Sequence, residues 1–222
     1  QNQRVISLLK MMVNYQESSG FGNRTASVDY LFNTLKDHPQ VLGVAYCYEP
    51  NAASKGGLDN DKTKKAVNSQ GRFVPYVVRK STMQQERILL TQVMDLDESF
   101  YQAPKENREI TITDPFTYQG TMMVTYSAPL IIDGQFVGVA AVDRSLQQIQ
   151  NQLHNLNSFA TSDFYLVSPN NKLIATSKKK KFLNQKIDDL KVDLNLKPGQ
   201  CVTKDKGKFW VAAPIKTGDW KI

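Results

Sequence analysis

The chain has few of the residues that metal sites, disulfide frameworks and nucleophilic catalysis require. Its 222 residues include two cysteines, Cys47 and Cys201, and two histidines, His38 and His154. Two cysteines this far apart do not define a disulfide framework, and the four residues lack the short spacing of zinc ligands. No histidine stands in a recognisable pattern with a nucleophilic serine or cysteine, so a catalytic triad has no support. We therefore expect neither a metal site nor triad chemistry.

Phosphate-binding loops and long apolar runs are also missing. The sequence has no Gly-x-Gly-x-x-Gly, Walker or Gly-x-Ser-x-Gly pattern, which removes the usual signals for nucleotide cofactors and hydrolase nucleophiles. Its carboxylates are too widely spread for a glycosidase pair to be chosen. No run approaches the ~20 apolar residues of a membrane helix, and Gln1–Arg4 opens into an amphipathic pattern instead of a signal peptide. We expect no cofactor and no catalytic residue.

Positive charge is concentrated in one place. The chain has 28 Lys and Arg against 21 Asp and Glu, a net charge of +7, which can indicate nucleic acid or an anionic surface as partner. Much of the excess lies in Lys178–Lys181, a run without interleaved aromatic residues, which favours a solvated loop over nucleic-acid binding. Such a patch would also suit a membrane with anionic headgroups. The 41% hydrophobic content indicates a globular chain of one large or two small domains.

Helical periodicity dominates the first 36 residues. Apolar residues recur at i, i+3, i+4 and i+7 in two groups, which are Val5, Leu8, Leu9 and Met12, and then Val28, Leu31, Phe32 and Leu35. Ser18–Gly22 interrupts the pattern. One kinked helix of about 32 residues would span roughly 48 Å and brace two lobes, whereas two core helices joined by a turn fit the same periodicity. Both interpretations stay open.

Between residues 41 and 104 the chain alternates strand candidates with polar segments. Cys47 falls within an apolar run and is predicted to be a small buried hydrophobe, while Pro75 favours an edge strand or a bulge. Acidic residues near Asp59 lack the glycine and glutamate of a calcium-binding EF-hand. The predictions are strands at Val41–Tyr48 and Phe73–Arg79, a surface loop at Pro50–Gly71, a helix at Glu86–Met94 and an aromatic turn at Asp97–Pro104.

The clearest local signal lies between Ile110 and Asp143. Asp133-Gly134 between two strand-like runs is a strong hairpin pattern. Small residues in Gly138–Val142 indicate close packing or a ligand that approaches the backbone. The predicted strands are Ile110–Thr113, Thr121–Leu130 and Phe136–Val142.

Asp143 ends the last of these strands, where a sheet can hold a charged side chain rigidly. Its carboxylate could accept hydrogen bonds from a ligand ammonium, and nearby aromatic rings could face the same cation. The candidate rings are Tyr76, Phe100, Tyr101, Phe116 and Tyr118. Two alternatives stay open: Asp143 caps a helix predicted at Ser145–Leu156, and at least half of the aromatic residues belong to the core.

The remaining residues predict a smaller antiparallel region. Phe164–Val167 and Leu173–Thr176 flank the turn residues of Ser168–Asn171. Further strands are predicted at Gln200–Thr203, Phe209–Ile215 and Trp220–Ile222. Short antiparallel strands with separate helices indicate an α+β fold.

An ordered set of motifs resembles the double Cache sensor domains, extracytoplasmic input modules of bacterial chemoreceptors, histidine kinases and cyclic-dinucleotide enzymes. The set covers about residues 41–173 and comprises Tyr48–Ala52, Gly71–Tyr76, Phe100-Tyr101 with Pro104, and Ile112–Asp143. The resemblance implies a long N-terminal helix followed by two PAS-like lobes with antiparallel sheets. It also implies a transmembrane helix on each side of the chain and a homodimer in the full receptor. The corresponding domains would be residues 1–40, 41–145 and 146–222.

The same resemblance implies a ligand site in the lobe of residues 41–145, with differences from amino-acid-binding members. Their Arg-x-Trp-Tyr segment corresponds to Glu98–Tyr101, so the arginine and tryptophan are replaced while Tyr101 matches. Tyr118 stands at the position of an intermediate aspartate, and Asp143 matches the last one. Loss of the arginine removes the group that would hold an α-carboxylate in two hydrogen bonds, unless Arg72 replaces it. An amine without an α-carboxylate fits better, with amino-acid-like compounds, purines and organic acids as further candidates.

We therefore expect a non-enzymatic sensor domain that faces the periplasm or the extracellular space. A small molecule would bind Arg72, Tyr76, Phe100, Tyr101, Phe116, Tyr118 and Asp143. The rival hypothesis is a ligand-free module for dimerisation or protein interaction.

Overall fold

A computed structural model describes residues 2–52, 61–81, 86–93, 96–156, 162–177, 201–204, 208–215 and 222. The helices are α1 (Asn2–Tyr15), α2 (Arg24–Asp37), α3 (Asp61–Lys64), α4 (Ser99–Asn107) and α5 (Leu146–Leu156), with a π-helical turn at Gln16–Gly20. The strands are β1 (Gly43–Tyr48), β2 (Pro75–Ser81), β3 (Glu86–Gln92), β4 (Thr111–Ile112), β5 (Phe116–Tyr118), β6 (Thr121–Ile132), β7 (Gln135–Ser145), β8 (Tyr165–Val167), β9 (Leu173–Thr176), β10 (Cys201–Lys204) and β11 (Lys208–Val211). The predicted α+β class with antiparallel sheets is confirmed.

The chain forms two compact units. The first comprises Gln1–Thr113 and Thr125–Arg144, and the second comprises Asp114–Val124 and Ser145–Ile222. The main sheet has the strand order β3-β2-β1-β7-β6-β4, with β5 paired to β6. β1 pairs antiparallel with β2 and β7, β2 with β3, and β6 with β4 and β5. In the second unit, β8 pairs with β9 and β10 with β11.

The N-terminal region is two helices and not one continuous helix. Gln16 accepts the backbone N–H of Phe21 at 3.1 Å, which closes the π-helical turn before α2 begins at Arg24. Tyr15 and Tyr30 stack across the break with their ring centroids 4.0 Å apart. The predicted interruption is therefore confirmed, and both helices contribute to the core of the first unit.

One face of β1 packs against these helices. Successive side chains of a strand point to opposite faces, so Val44, Tyr46 and Tyr48 share one face and are buried. The Tyr46 hydroxyl donates to the Met12 carbonyl at 3.0 Å, and the Tyr48 hydroxyl donates to the Gln16 side chain. We name this side of the sheet the helix face.

The predicted hairpin turn at Asp133-Gly134 is present, and a second turn at Gln119-Gly120 has the same geometry. Gln119 and Gly120 have φ values of 47° and 78°, and Asp133 and Gly134 have values of 50° and 77°. Two consecutive positive φ angles define the tight turn that matches the right-handed twist of a strand pair. The turn at Asp133-Gly134 joins the twelve residues of β6 to the eleven residues of β7.

Four local predictions are wrong. The helix predicted at Glu86–Met94 is β3 in its described part, because each residue of Glu86–Gln92 pairs with one of β2. Pro75, predicted at an edge or a bulge, consequently lies in an inner strand, where the first position tolerates a residue without an N–H.

The turn predicted at Asp97–Pro104 is mostly α4, which buries Phe100, Tyr101 and Pro104. The loop predicted at Pro50–Gly71 includes α3, in which Thr63 is buried, and the buried Ala66 follows that helix.

Other predictions hold. Cys47 is buried and free, α5 starts within one residue of the predicted helix, and the hairpin of β8 and β9 lies where it was predicted. Lys178–Lys181 and most of the strand predicted at Trp220–Ile222 lie outside the described residues, although the backbones of Ala213 and Ile222 exchange two hydrogen bonds.

Gly138→Ala should destabilise the first unit by about 2–4 kcal/mol. Gly138 has a φ of 151°, and a Cβ there would lie 2.3 Å from the Cys47 carbonyl oxygen, which is backbone and cannot move aside cheaply. Urea unfolding followed by circular dichroism measures the change. Gly134→Asn is the control, because its φ is also positive but a Cβ would meet nothing within 4 Å, and asparagine tolerates that region. Equal effects of the two variants would contradict the clash.

Candidate functional site

Strand register brings Asp143 to the side of the sheet opposite the helix face. Asp143 pairs with Gly43, Ala141 with Ala45, and Val139 with Cys47. Directly paired residues of antiparallel strands share a face, so these six side chains lie together, away from Tyr46 and Tyr48. We name this side the site face. Apart from Asp143, its residues are small or apolar, and Ala45, Cys47, Val139 and Ala141 are buried.

Asp143 is a buried acid with hydroxyl partners. Its residue is 8% exposed, and the Thr125 hydroxyl donates to Oδ1 at 2.6 Å. Burial raises the pKa of this carboxyl from 3.8 to about 6, and hydrogen bonds from Thr125 and Tyr76 oppose that rise. Within the part of the chain that the structure describes, no cationic side chain is among the groups that set this pKa. A buried carboxylate in such surroundings is costly to ionise and gains strongly from an added positive charge.

Gly43 makes room for the ring that covers Asp143. Tyr76 lies on β2 and is 3% exposed. A Cβ on Gly43 would lie 2.6 Å from Cε2 and 2.7 Å from the hydroxyl oxygen of Tyr76. Glycine at this position therefore lets the ring lie across β1, with its hydroxyl next to the residue that pairs with Asp143.

The helix-capping alternative for Asp143 is wrong. Residue 143 is within β7, and α5 begins three residues later at Leu146. Ser145 supplies the cap, because its side-chain oxygen accepts the backbone N–H of Gln147 at 3.1 Å. The Asp143 carboxylate is thus held by strand partners and not by a helix end.

A second polar cluster in the first unit surrounds Tyr101 of α4. Arg72 Nη2 donates to the Tyr101 hydroxyl at 2.6 Å, and Arg72 Nε donates to the Tyr48 carbonyl at 2.9 Å. Tyr101 in turn donates to Glu49 at 2.5 Å, and Lys105 donates to the same carboxylate oxygen at 2.8 Å. Although burial acts in the opposite direction, hydrogen bonds from Lys105 and Tyr101 hold the pKa of Glu49 below its usual value. Burial and the bond to Glu49 raise the pKa of Tyr101, which keeps its proton.

Cys47 lies within electrostatic range of both clusters. Burial raises the pKa of its thiol, the charge of Arg72 lowers it, and the charge of Asp143 raises it. Cys47 itself is on the site face, where it pairs with Val139.

The seven residues predicted from sequence separate into three groups. Asp143 and Tyr76 lie together. Phe100 contacts Tyr101 edge-on with centroids 6.5 Å apart, and Arg72 lies 5.0 Å from the centroid of the Tyr101 ring. The last group, Phe116 and Tyr118, belongs to β5 in the second unit.

Sequence reasoning missed several side chains beside the predicted ones, namely Gly43, Cys47, Glu49, Lys105 and Thr125. Strand register could have indicated Gly43 and Cys47, since both lie opposite the small-residue run of β7. Among the described residues, no group of three or more His, Cys, Asp or Glu side chains could hold a metal ion. Across the same residues, no helix is long and apolar enough to cross a membrane.

Asp143→Asn should stabilise the ligand-free protein at pH 7.5 by an amount on the order of 1–3 kcal/mol. The pKa of this acid is raised from 3.8 to about 6 in the folded state, so ionisation opposes folding. The cost is absent below the unfolded pKa and complete above about pH 6. The stability difference between variant and wild type should therefore grow from pH 4 to pH 6 and then level off, as measured by urea unfolding. Asp133→Asn, in the exposed hairpin turn, is the control. A destabilised Asp143→Asn at pH 7.5 would contradict the prediction.

Comparison with known proteins places these features in a family. Residues 28–151 match the family model of the methyl-accepting chemotaxis protein-like, first PDC sensor domain. The methyl-accepting chemotaxis protein TlpQ of Pseudomonas aeruginosa is 27% identical over 131 residues, which covers 52% of this chain and 18% of TlpQ. The chain thus spans less than a fifth of that relative.

Solved structures share the fold along nearly the whole chain. The extracellular domain of mmHK1S-Z3 superposes with a TM-score of 0.75 at 25% identity, covering 97% of this chain and 82% of that one. The ligand-binding domain of the amino acid chemoreceptor PctC of Pseudomonas aeruginosa PAO1, in complex with GABA, has a TM-score of 0.67 at 15% identity and covers 99% and 88%. The family model spans more than half of the chain and includes both clusters of the first unit. The chain belongs to the methyl-accepting chemotaxis protein-like PDC sensor domains, and its fold is of the Cache type.

Proposed function

We propose that this sensor domain faces the periplasm or the extracellular space and binds a small molecule through a protonated amine at Asp143. The observation that carries the proposal is the buried carboxylate, which has hydroxyl partners and no cationic side chain among the groups that set its pKa. A ligand ammonium would supply the missing charge and form charge-assisted hydrogen bonds.

The geometry of the site face supports an amine rather than a metal ion. Thr125 and Tyr76 hydroxyls take part of the hydrogen-bonding capacity of the carboxylate, and an ammonium can use the remaining lone pairs. The Tyr76 ring next to Asp143 offers an aromatic surface for the same cation. The small side chains of Ala45 and Ala141 lie on the same face of the sheet as Asp143, and we propose that the rest of the ligand packs against them.

The cluster around Tyr101 is proposed to contact the other end of the ligand. Arg72 is held by Tyr48 and Tyr101, so its guanidinium is fixed and can orient a carbonyl or carboxylate group. Phe100 and Tyr101 are the aromatic residues that support this end. Phe116 and Tyr118 belong to β5 of the other unit, and their predicted role in ligand binding stays a prediction.

Relatives give limited support for the ligand class. The structure of PctC contains GABA, a compound with a primary amine and a carboxylate. At 15% identity this likeness concerns the fold, so the amine proposal rests on the surroundings of Asp143.

The signalling proposal follows from population shift. A ligand that prefers one conformation of the domain moves an existing equilibrium toward it, by as much as its affinities for the two states differ. A shift from 1:99 to 99:1 requires about 5.5 kcal/mol, part of which the ion pair at Asp143 would provide. In the complete protein, we propose, the domain lies between membrane helices and acts in a homodimer.

A thermal-shift screen of amines, amino acids, purines and organic acids, followed by calorimetry, tests the amine site. Amines should raise the melting temperature by mass action, and Asp143→Asn should weaken their binding at least about 100-fold, since a desolvated charge pair is lost. Below about pH 6 the carboxyl is protonated, so the Kd should rise about tenfold per pH unit. Asp133→Asn should leave the affinity unchanged. If the amines give no shift, or the Asp143→Asn protein binds them as tightly as wild type, the ligand-free interaction module becomes the better account.

Arg72→Gln separates the two ends of the proposed site. The variant should lower the affinity for an amino acid about 10-fold or more, because the amino acid has a carboxylate that the guanidinium can bind. The affinity for a simple alkylamine, which has no carboxylate, should change less than about threefold. Calorimetry at pH 7.5 gives both affinities. Arg4→Gln on the exposed side of α1 controls for net charge. Equal losses for the two ligands would show that Arg72 acts on the fold and not on the ligand.

A further inference from the structure

Two pairs of neighbouring residues connect the site face with the helix face. In β7, Asp143 is followed by Arg144, and in β6, Thr125 is followed by Tyr126. Side chains alternate along a strand, so the members of each pair point to opposite sides of the sheet. Asp143 and Thr125 meet on the site face through their hydrogen bond of 2.6 Å.

On the helix face, Arg144 and Tyr126 meet at the first residue of α1. Asn2 Oδ1 accepts a hydrogen bond from Arg144 Nη1 at 3.0 Å and another from the Tyr126 hydroxyl at 2.8 Å. Arg144 is 2% exposed and Tyr126 is 0% exposed. One side-chain oxygen therefore receives a bond from each of the two strands that hold the candidate site.

Because Arg144 and Tyr126 are buried, their hydrogen bonds to Asn2 limit how far these side chains can move. A guanidinium removed from water must keep its acceptors, because an unsatisfied buried donor is costly. The close packing of a protein interior leaves little room for Arg144 or Tyr126 to adjust alone. Any displacement of the backbone at residues 125 and 143 is thus carried to the neighbouring residues 126 and 144, and then to Asn2.

We propose that Arg144 and Tyr126 are positioning residues that couple the state of Asp143 to the first turn of α1. The inference rests on the proposed function, since it states how amine binding would affect the rest of the domain. A change in charge or occupancy at Asp143 displaces the backbone at residues 125 and 143, and Asn2 conveys that displacement to the helix. The ligand touches neither residue. Because coupling between two sites is reciprocal, the contacts of Asn2 also set the properties of Asp143.

Amide hydrogen exchange in a double-mutant cycle tests the coupling without any ligand. The variants are Asp143→Asn, which removes the charge, Asn2→Ala, which removes the shared acceptor, and the double variant. Asp143→Asn should change the exchange rates of the Leu8, Leu9 and Met12 amides at least threefold, and Asn2→Ala should suppress that change. Each change is taken as the part that exceeds the effect of the same variant on global stability, which urea unfolding measures. NMR on the 222-residue chain at pH 7.5 gives the rates. Asn2 is the first helical residue, so its truncation removes no apolar side chain from the core.

Asp133→Asn is the matched control, since it neutralises a carboxylate at the other end of the same hairpin and should leave the three rates within a factor of two. A change below threefold in the wild-type background, or one that persists in the Asn2→Ala background, overturns the proposal. This result is separate from the amine test. If Asn2→Ala suppresses the change in exchange but no amine binds, the coupling holds and the ligand assignment is wrong. If amines bind but the effects of the two substitutions add independently, the ligand assignment holds and the coupling is wrong.

Discussion

The central interaction of the first unit is unfavourable in itself: the carboxylate of Asp143 is buried on one face of the sheet. Among the described residues, no cationic side chain contributes to its pKa. Asp143 is held by the Thr125 hydroxyl, lies opposite Gly43 and is covered by Tyr76. A neutral side chain at this buried position would make the folded protein more stable, since ionisation is costly in these surroundings. Strongly perturbed acids cluster at functional sites, and the proposed role of Asp143 in binding a ligand amine would account for this cost.

The sheet makes this arrangement possible because its two faces have separate roles. The helix face packs Tyr46 and Tyr48 against α1 and the π-helical turn, which fixes β1 in place. The site face carries glycine, alanine and cysteine on β1, and the buried carboxylate of Asp143 lies on the same face. At the far end of β1, the cluster of Arg72, Tyr101 and Glu49 anchors α4 through its own hydrogen bonds. In the proposed function, these two charged clusters contact the two ends of the ligand.

How much of this was predictable depends on the range of the interactions. The β6–β7 hairpin follows from Asp133-Gly134, and the break before α2 follows from Ser18–Gly22, because both signals are local in the chain. The edge strand β3 was mistaken for a helix, since Ile88, Leu89 and Leu90 form a short apolar run that fits either period, and only pairing with β2 decides it. The partners of Asp143 come from β2 and β6, so register sets them and no spacing in the sequence reveals them. The attachment of Arg72 to Tyr101 is equally non-local.

The pKa of the Asp143 carboxyl, followed by carbon NMR in the free and the amine-saturated protein, tests the central claim most directly. The account predicts a value of about 6 in the free protein and a fall of at least about one unit when an ammonium occupies the site, because an opposite charge favours the ionised form. A free-state value near the ordinary 3.8 of an exposed aspartate, or a value that does not move when the amine binds, would contradict it.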